Sequence, residues 1–126
     1  MQLGAAKPPL VLVVEDEALL RWNAVAIIED AGFDVIEAAC ADEALAVLEK
    51  RMDVRVVFTD VQMPGCMDGL KLAHVIRRRW PPVRIIATSG RAKLRLGDLP
   101  EGGRFLGKPY TPADIEMTLH ELTDAA

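Results

Sequence analysis

The sequence predicts an α/β fold: a doubly wound, mainly parallel sheet of five strands with helices on both faces. Three observations lead there. Short apolar, β-branched runs alternate along the chain with segments of helical periodicity. Leu10–Val14 is continuously apolar, and Val54–Thr59 is mainly apolar with Arg55 near its start, which suits strands covered on both faces. Acids or hydroxyls stand directly past several strands, where open parallel sheets collect their chemistry. Right-handed crossovers then distribute the helices to the two faces.

The elements follow in order. Residues 1–9 read as a loose leader, and Leu10–Val14 is the first strand, stopped by acids. Residues 17–31 form the first helix, with Leu20, Ala24, Ile27, Ile28 and Ala31 on one stripe and Gly32 as its stop. Phe33–Glu37 is the second strand, and Ala41–Lys50 the second helix, with Ala44, Leu45 and Leu48 inward. Val54–Thr59 is the third strand, and Asp60 closes it. After a loop holding Pro64 and Gly65, a third helix runs over Gly69–Arg79, with Leu72, Ala73 and Ile76 inward, until Pro81-Pro82 ends it. Val83–Thr88 is the fourth strand. Residues 90–102 hold Gly90, Gly97, Pro100 and Gly102, so the fourth helix is expected to be short or irregular. Gly103–Leu106 is the fifth strand. Thr111 then caps a last helix that starts at Pro112 and buries Ile115, Leu119 and Leu122.

Composition narrows the class. The 126 residues are 51% hydrophobic and 27% charged, with a formal net charge of −4. That is the composition of one soluble domain, 1–126, which can bury a core without staples. A pI near 5.1 argues against a nucleic-acid partner. Cys40 and Cys66 stand in no metal-ligand spacing, and His74 and His120 are isolated, so no zinc site is implied. No stretch is long enough to span a bilayer and the N-terminus has no long apolar run, so a cytoplasmic location is expected.

The polar residues past the strands form a set. They are Glu15-Asp16 after the first, Asp60 after the third, Thr88-Ser89 at the fourth and Lys108-Pro109 after the fifth. If the strand order is 2-1-3-4-5, strands one and three are neighbours, and Glu15, Asp16 and Asp60 crowd together. Three such carboxylates repel one another unless a cation joins them. Mg2+ suits a site of few carboxylates, waters and a phosphate oxygen. Lys108 would add a positive charge, and Ser89 a hydroxyl donor, for the oxygens of an incoming group. The set is that of a phosphoryl-transfer site, in which positioning and charge neutralisation do the catalysis. Each residue alone has a plainer reading. Asp16 could cap a helix, Asp60 could end a turn, Thr88 and Ser89 could be ordinary strand-end residues, and Lys108 could be a solvated lysine. Their coincidence at strand ends carries the argument.

Val13-Val14-Glu15-Asp16-Glu17, Thr59-Asp60-Val61-Gln62-Met63-Pro64-Gly65, Asp68-Gly69-Leu70, Thr88-Ser89-Gly90 and Lys108-Pro109-Tyr110 resemble the receiver domain of bacterial response regulators. The resemblance runs from about residue 8 to 123. It implies a flavodoxin-like sheet order, with Asp60 as phosphoacceptor. Asp16 would be a direct Mg2+ ligand, Glu15 an acid acting through a metal-bound water, and Gln62 the source of a backbone carbonyl ligand. Ser89 would be the switch hydroxyl, Lys108 the phosphate-binding lysine, Phe105 the aromatic that changes rotamer, and Pro109 a cis-proline. The sequence departs from the chemotaxis regulator of that family in three ways. Glu15 replaces an Asp, the loop after Asp60 gains a residue around Gly65-Cys66, and the segment between Ser89 and Lys108 is shorter. Cys66 reads as an inert loop residue.

The function implied is a phosphorylation switch. A histidine kinase or histidine phosphotransfer protein would phosphorylate Asp60 with Mg2+. Output would pass by protein–protein contact to a further partner, since no output domain follows in this chain. The domain would assist its own phosphorylation and dephosphorylation without being an enzyme in the usual sense. Gln62 and Arg91, each two residues past a site residue, would border the path of the hydrolytic water and tune the lifetime of the acyl phosphate. The shortened segment predicts a monomer or weak dimer. Three rival readings fit less well. An Asp-nucleophile phosphatase would want Asp-x-Asp after the first strand, and Glu15-Asp16-Glu17-Ala18 does not supply it. A flavin module would want a phosphate loop free of acids there. A docking module that works without phosphorylation would have no use for the full set of residues.

Overall fold

The structure, a computed structural model, describes residues 8–63, 67–90 and 98–124. The elements are β1 (Leu10–Val14), α1 (Ala18–Asp30), β2 (Asp34–Ala38), α2 (Ala41–Lys50), β3 (Val54–Asp60), α3 (Gly69–Arg79), β4 (Arg84–Ser89), β5 (Arg104–Gly107) and α4 (Pro112–Asp124). The strands form one sheet in the order β2-β1-β3-β4-β5, and all four pairings are parallel. The expected fold class and strand order are therefore observed. The expectations for a fourth helix within 90–102, for Arg91 and for Cys66 fall on 91–97 and 64–66, outside the described residues.

Each face of the sheet has its own core. On one side Leu10, Leu12, Val14, Val54, Val57 and Ile85 pack against Ala41, Ala44, Leu48, Leu72 and Ile76 of α2 and α3. On the other, Val11, Val13, Val56, Phe58 and Ile86 pack against Ala24 and Ile28 of α1 and Ile115, Leu119 and Leu122 of α4. β1 is buried along its whole length, which is why its sequence does not alternate. The side chains alternate between faces even though their polarity does not.

The helix ends obey the local chemistry. Gly32 follows α1 with φ 97°, a conformation that favours glycine. The Asp68 side chain accepts from the Lys71 N–H and caps α3. Thr111 and Asp114 exchange bonds reciprocally at the start of α4, a capping box with Asp in the place of Glu. α3 stops at Trp80, just before Pro81-Pro82.

The differences from the sequence reading are small and have physical causes. β2 and β5 begin one residue later than expected. β4 is displaced the same way, because the Val83 N–H closes a turn onto Trp80 instead of opening the ladder. β3 extends to Asp60, which pairs in register with Thr88. Pro9 is not loose: its carbonyl accepts from the Asp34 N–H at the sheet margin. Leu20 does not join the inward stripe of α1, and is 38% exposed. With Leu19, Leu20, Trp22, Val25 and Ile27 all apolar, periodicity alone gave no unique face, and Ala24 and Ile28 are the buried pair.

Candidate functional site

β1 and β3 are neighbours in the sheet, so the residues past their carboxyl ends meet. Carboxylate oxygens of Glu15, Asp16 and Asp60 all lie within 4.8 Å of one another. Glu15 and Asp60 are buried, while Asp16 is exposed. Lys108, brought in by the loop after β5, reaches into this group. Its Nζ lies 3.1 Å from Asp60 Oδ2 and 3.6 Å from Glu15 Oε1. The other Asp60 oxygen, Oδ1, accepts from the Gln62 backbone N–H at 3.1 Å. An open cavity of about 430 Å³ lies over the group, lined by Asp16, Glu17, Leu20, Asp60, Gln62, Gly90 and Lys108.

The backbone around Asp60 is held on both sides. The Val61 N–H donates to the Thr88 carbonyl (2.9 Å), and the Gly69 N–H donates to the Val61 carbonyl (2.8 Å). The first turn of α3 is thereby pressed against the end of β3. A Cβ on Gly69 would stand 2.8 Å from both the Asp60 carbonyl carbon and the Val61 Cα, and closer still to the Asp60 carbonyl oxygen. Glycine is the residue this approach permits. On the far side, the Lys108 N–H donates to the Ser89 carbonyl at 3.0 Å, which fixes the root of the lysine to the end of β4. The Lys108–Pro109 peptide is cis.

The acid loop after β1 has its own supports. The Glu15 N–H donates to the Ala38 carbonyl, and Glu15 Oε2 accepts from the Glu17 N–H. Arg21 of α1 donates through Nη1 to the Glu15 carbonyl (2.9 Å) and through Nε to Glu37 Oε1 (3.0 Å). The sequence reading did not single out Arg21. Its only signal was a cation one helical turn past the acids.

Electrostatics reflect the crowding. Burial pushes the Glu15 carboxyl up to about 7, with Asp16 and Asp60 beside it reinforcing the shift against the Glu17 N–H and Lys108. Burial works against the Lys108 ammonium, but the hydrogen bond and charge of Asp60, joined by Glu15, hold it above its ordinary value. Burial also raises the Tyr110 phenol. The donor set is hard oxygen, it carries excess negative charge, and two of its acids, Asp16 and Asp60, line the open cavity. That fits a small divalent cation of the Mg2+ kind.

The other predicted residues are placed as follows. Ser89 is the last residue of β4 and is buried. Phe105 lies on β5 with 38% of its surface exposed. Gln62 is exposed and lines the cavity.

Residues 11–120 match the family model of the response regulator receiver domain. The sensor kinase CckA of Brucella abortus (strain 2308) is 35% identical over 118 residues, covering 90% of this chain and 12% of that protein. A putative NtrX-like response regulator of Rickettsia bellii (strain RML369-C) is 36% identical over 113 residues, covering 86% of this chain and 23% of that protein. The chain thus spans less than a quarter of the length of either relative. Among solved structures, a response regulator receiver protein from Sinorhizobium medicae WSM419 has a similar fold. Its TM-score is 0.87 at 28% identity, over 94% of this chain and 97% of that one. No described helix is long and apolar enough to cross a membrane. Acids gathered at the ends of β1 and β3, under a lysine from the loop after β5, are what such a sheet is built to present, and the chain belongs to the response regulator receiver domains of two-component signalling.

Proposed function

We propose that this domain is a switch thrown by transfer of a phosphoryl group to Asp60, from a histidine kinase or histidine phosphotransfer protein. The observation that carries the reading is the acid triad bridged by Lys108 at the switch point of the sheet. In the transfer, an Asp60 carboxylate oxygen forms a bond to phosphorus. The bond from phosphorus to the donor imidazole nitrogen breaks, and its electron pair stays on the imidazole. Asp60 becomes an acyl phosphate.

The residues divide the work. Glu15, Asp16, Asp60 and the Gln62 carbonyl would hold Mg2+, which when bound supplies positive charge to offset that of the acids and of the incoming phosphoryl oxygens. Glu15 then sheds the proton that burial otherwise favours. The Gln62 N–H keeps Asp60 oriented through Oδ1. Lys108 already sits on Oδ2, and it exchanges that partner for a phosphoryl oxygen. Ser89 donates its hydroxyl to another phosphoryl oxygen, and Phe105 turns inward from its half-exposed position to report the change along β5. Gln62, which lines the cavity, and Arg91 would set the lifetime of the acyl phosphate. Output passes to a protein partner.

Intact-mass measurement after incubation with acetyl phosphate tests this. The wild type gains one phosphoryl mass with Mg2+ and none with EDTA, and Asp60→Asn gains none. Labelling that persists in Asp60→Asn, or that ignores EDTA, overturns the assignment.

A further inference from the structure

The end of the sheet opposite the phosphoacceptor carries a second concavity. It has a volume of about 480 Å³. Its lining includes Arg55 of β3, Arg77 of α3, Arg84 at the start of β4, Pro81-Pro82 between the last two, and Glu101-Gly102-Gly103 before β5. Arg84 stands four residues before Thr88, the register partner of Asp60, so the two sites are about 13 Å apart along the strand.

The arginines here differ from four others among the described residues. Arg21, Arg51, Arg79 and Arg104 each pair with a carboxylate at 3.0 Å or less. Among the described residues, Arg55, Arg77 and Arg84 have no carboxylate within ion-pair distance, although Glu101 lines the same cavity. Arg55 donates one N–H to the Thr123 carbonyl, and Arg77 one to the Pro81 carbonyl, both at 3.3 Å. These bonds steady the two side chains and leave most of their donors unused. Gly102 has φ 85°, and a Cβ there would lie 3.4 Å from Arg84 Nη1. The turn is closed by the Gly103 N–H on the Pro100 carbonyl at 2.9 Å. The rim thus includes a glycine turn and a proline pair, which add no long side chains of their own to the groove.

We propose that this groove binds an anion with two adjacent phosphate groups, either free pyrophosphate or the diphosphate of a nucleotide. Arginines from three elements line one groove, and a planar guanidinium fork matches phosphate oxygens two at a time. A single phosphate would engage only part of the set. The cavity volume falls in the range of small-ligand sites.

Isothermal titration of the whole chain in EDTA, with pyrophosphate, ADP, orthophosphate and a hexaglutamate peptide, is the test. Pyrophosphate or ADP should saturate with a Kd below about 1 mM, and orthophosphate should bind far more weakly. Tighter ADP than pyrophosphate assigns a nucleotide, and the reverse assigns the free anion. Arg84→Gln should weaken binding about tenfold or more, as for the loss of a charge-assisted contact, while acetyl phosphate labelling of Asp60 stays unchanged. Glu101→Gln should tighten it a few-fold by removing the one opposing charge. Asp60→Asn should bind as the wild type does. The proposal is overturned if neither diphosphate saturates, if hexaglutamate binds and they do not, or if Arg84→Gln binds normally.

Discussion

Replacing Gly69 by alanine should damage the site from a position that carries no functional group. The added Cβ would stand 2.8 Å from the Asp60 carbonyl carbon and from the Val61 Cα. Carbon atoms prefer about 3.5–4.0 Å, so the end of β3 and the first turn of α3 must part by roughly 1 Å. Every atom in the way is backbone, so no rotamer change relieves the clash. Overpacking of this kind costs about 1–3 kcal/mol, and loss of the 2.8 Å bond from Gly69 to Val61 adds about 1 kcal/mol. Alanine recovers part of this through its better helix propensity, at most about 1 kcal/mol. The net expectation is a destabilisation of about 1–4 kcal/mol, which a domain worth about 5–15 kcal/mol survives. Gly90→Ala is the control. Its Cβ would meet Lys108 side-chain carbons at 3.5 and 3.8 Å, ordinary contact, so stability should change little. Urea unfolding measures both variants. The rate of acetyl phosphate labelling should also fall in Gly69→Ala, by up to about a hundredfold if Asp60 is misplaced by 1 Å. An unchanged urea midpoint together with an unchanged labelling rate would refute the reasoning.

Two further perturbations probe the acid loop. In EDTA, Glu15 holds its proton more tightly in the folded chain, at about 7 against an ordinary 4.5. Stability should therefore fall as pH rises from 4.5 to 7 and level off above, and Glu15→Gln should flatten that window. Urea midpoints across the range decide it, and an unaltered slope in the variant would remove Glu15 as the cause. Arg21→Ala should cost about 1–3 kcal/mol and weaken Mg2+ binding several-fold, because the Glu15 carbonyl loses its donor. Arg21→Lys should restore only part of the affinity, and if Arg21→Ala loses stability but keeps its Mg2+ affinity, the arginine only braces the fold.

Much of this was legible in the sequence because each level of pattern agreed with the next. The buried runs of β1 and β3, the cap at Thr111-Pro112 and the stop at Pro81-Pro82 are local chemistry, and local chemistry reads directly. The acids and Lys108 could be grouped because strand order follows from a few topological rules. What escaped depends on three-dimensional contact. Leu20 carries the same apolar character as its buried neighbours, yet it borders the cavity. Nothing in the spacing of Arg21 says that it grips the Glu15 carbonyl. Gly69 could be read as the start of a helix, but not as the point where that helix touches the backbone of Asp60.

The end of β4 behaves like a beam pinned at both sides. The Thr88 carbonyl holds the Val61 amide of the Asp60 loop, and the Ser89 carbonyl holds the Lys108 amide of the opposite loop. The backbones that carry Asp60 and Lys108 are thus hung from adjacent peptides of one strand, and a single backbone sets the spacing of their roots. Displacing that strand would carry both loops with it or tear one of them free. A signal that must leave the site without dismantling it is therefore carried by side-chain rotation. In an engineer's terms, the socket is the stiff member of this machine.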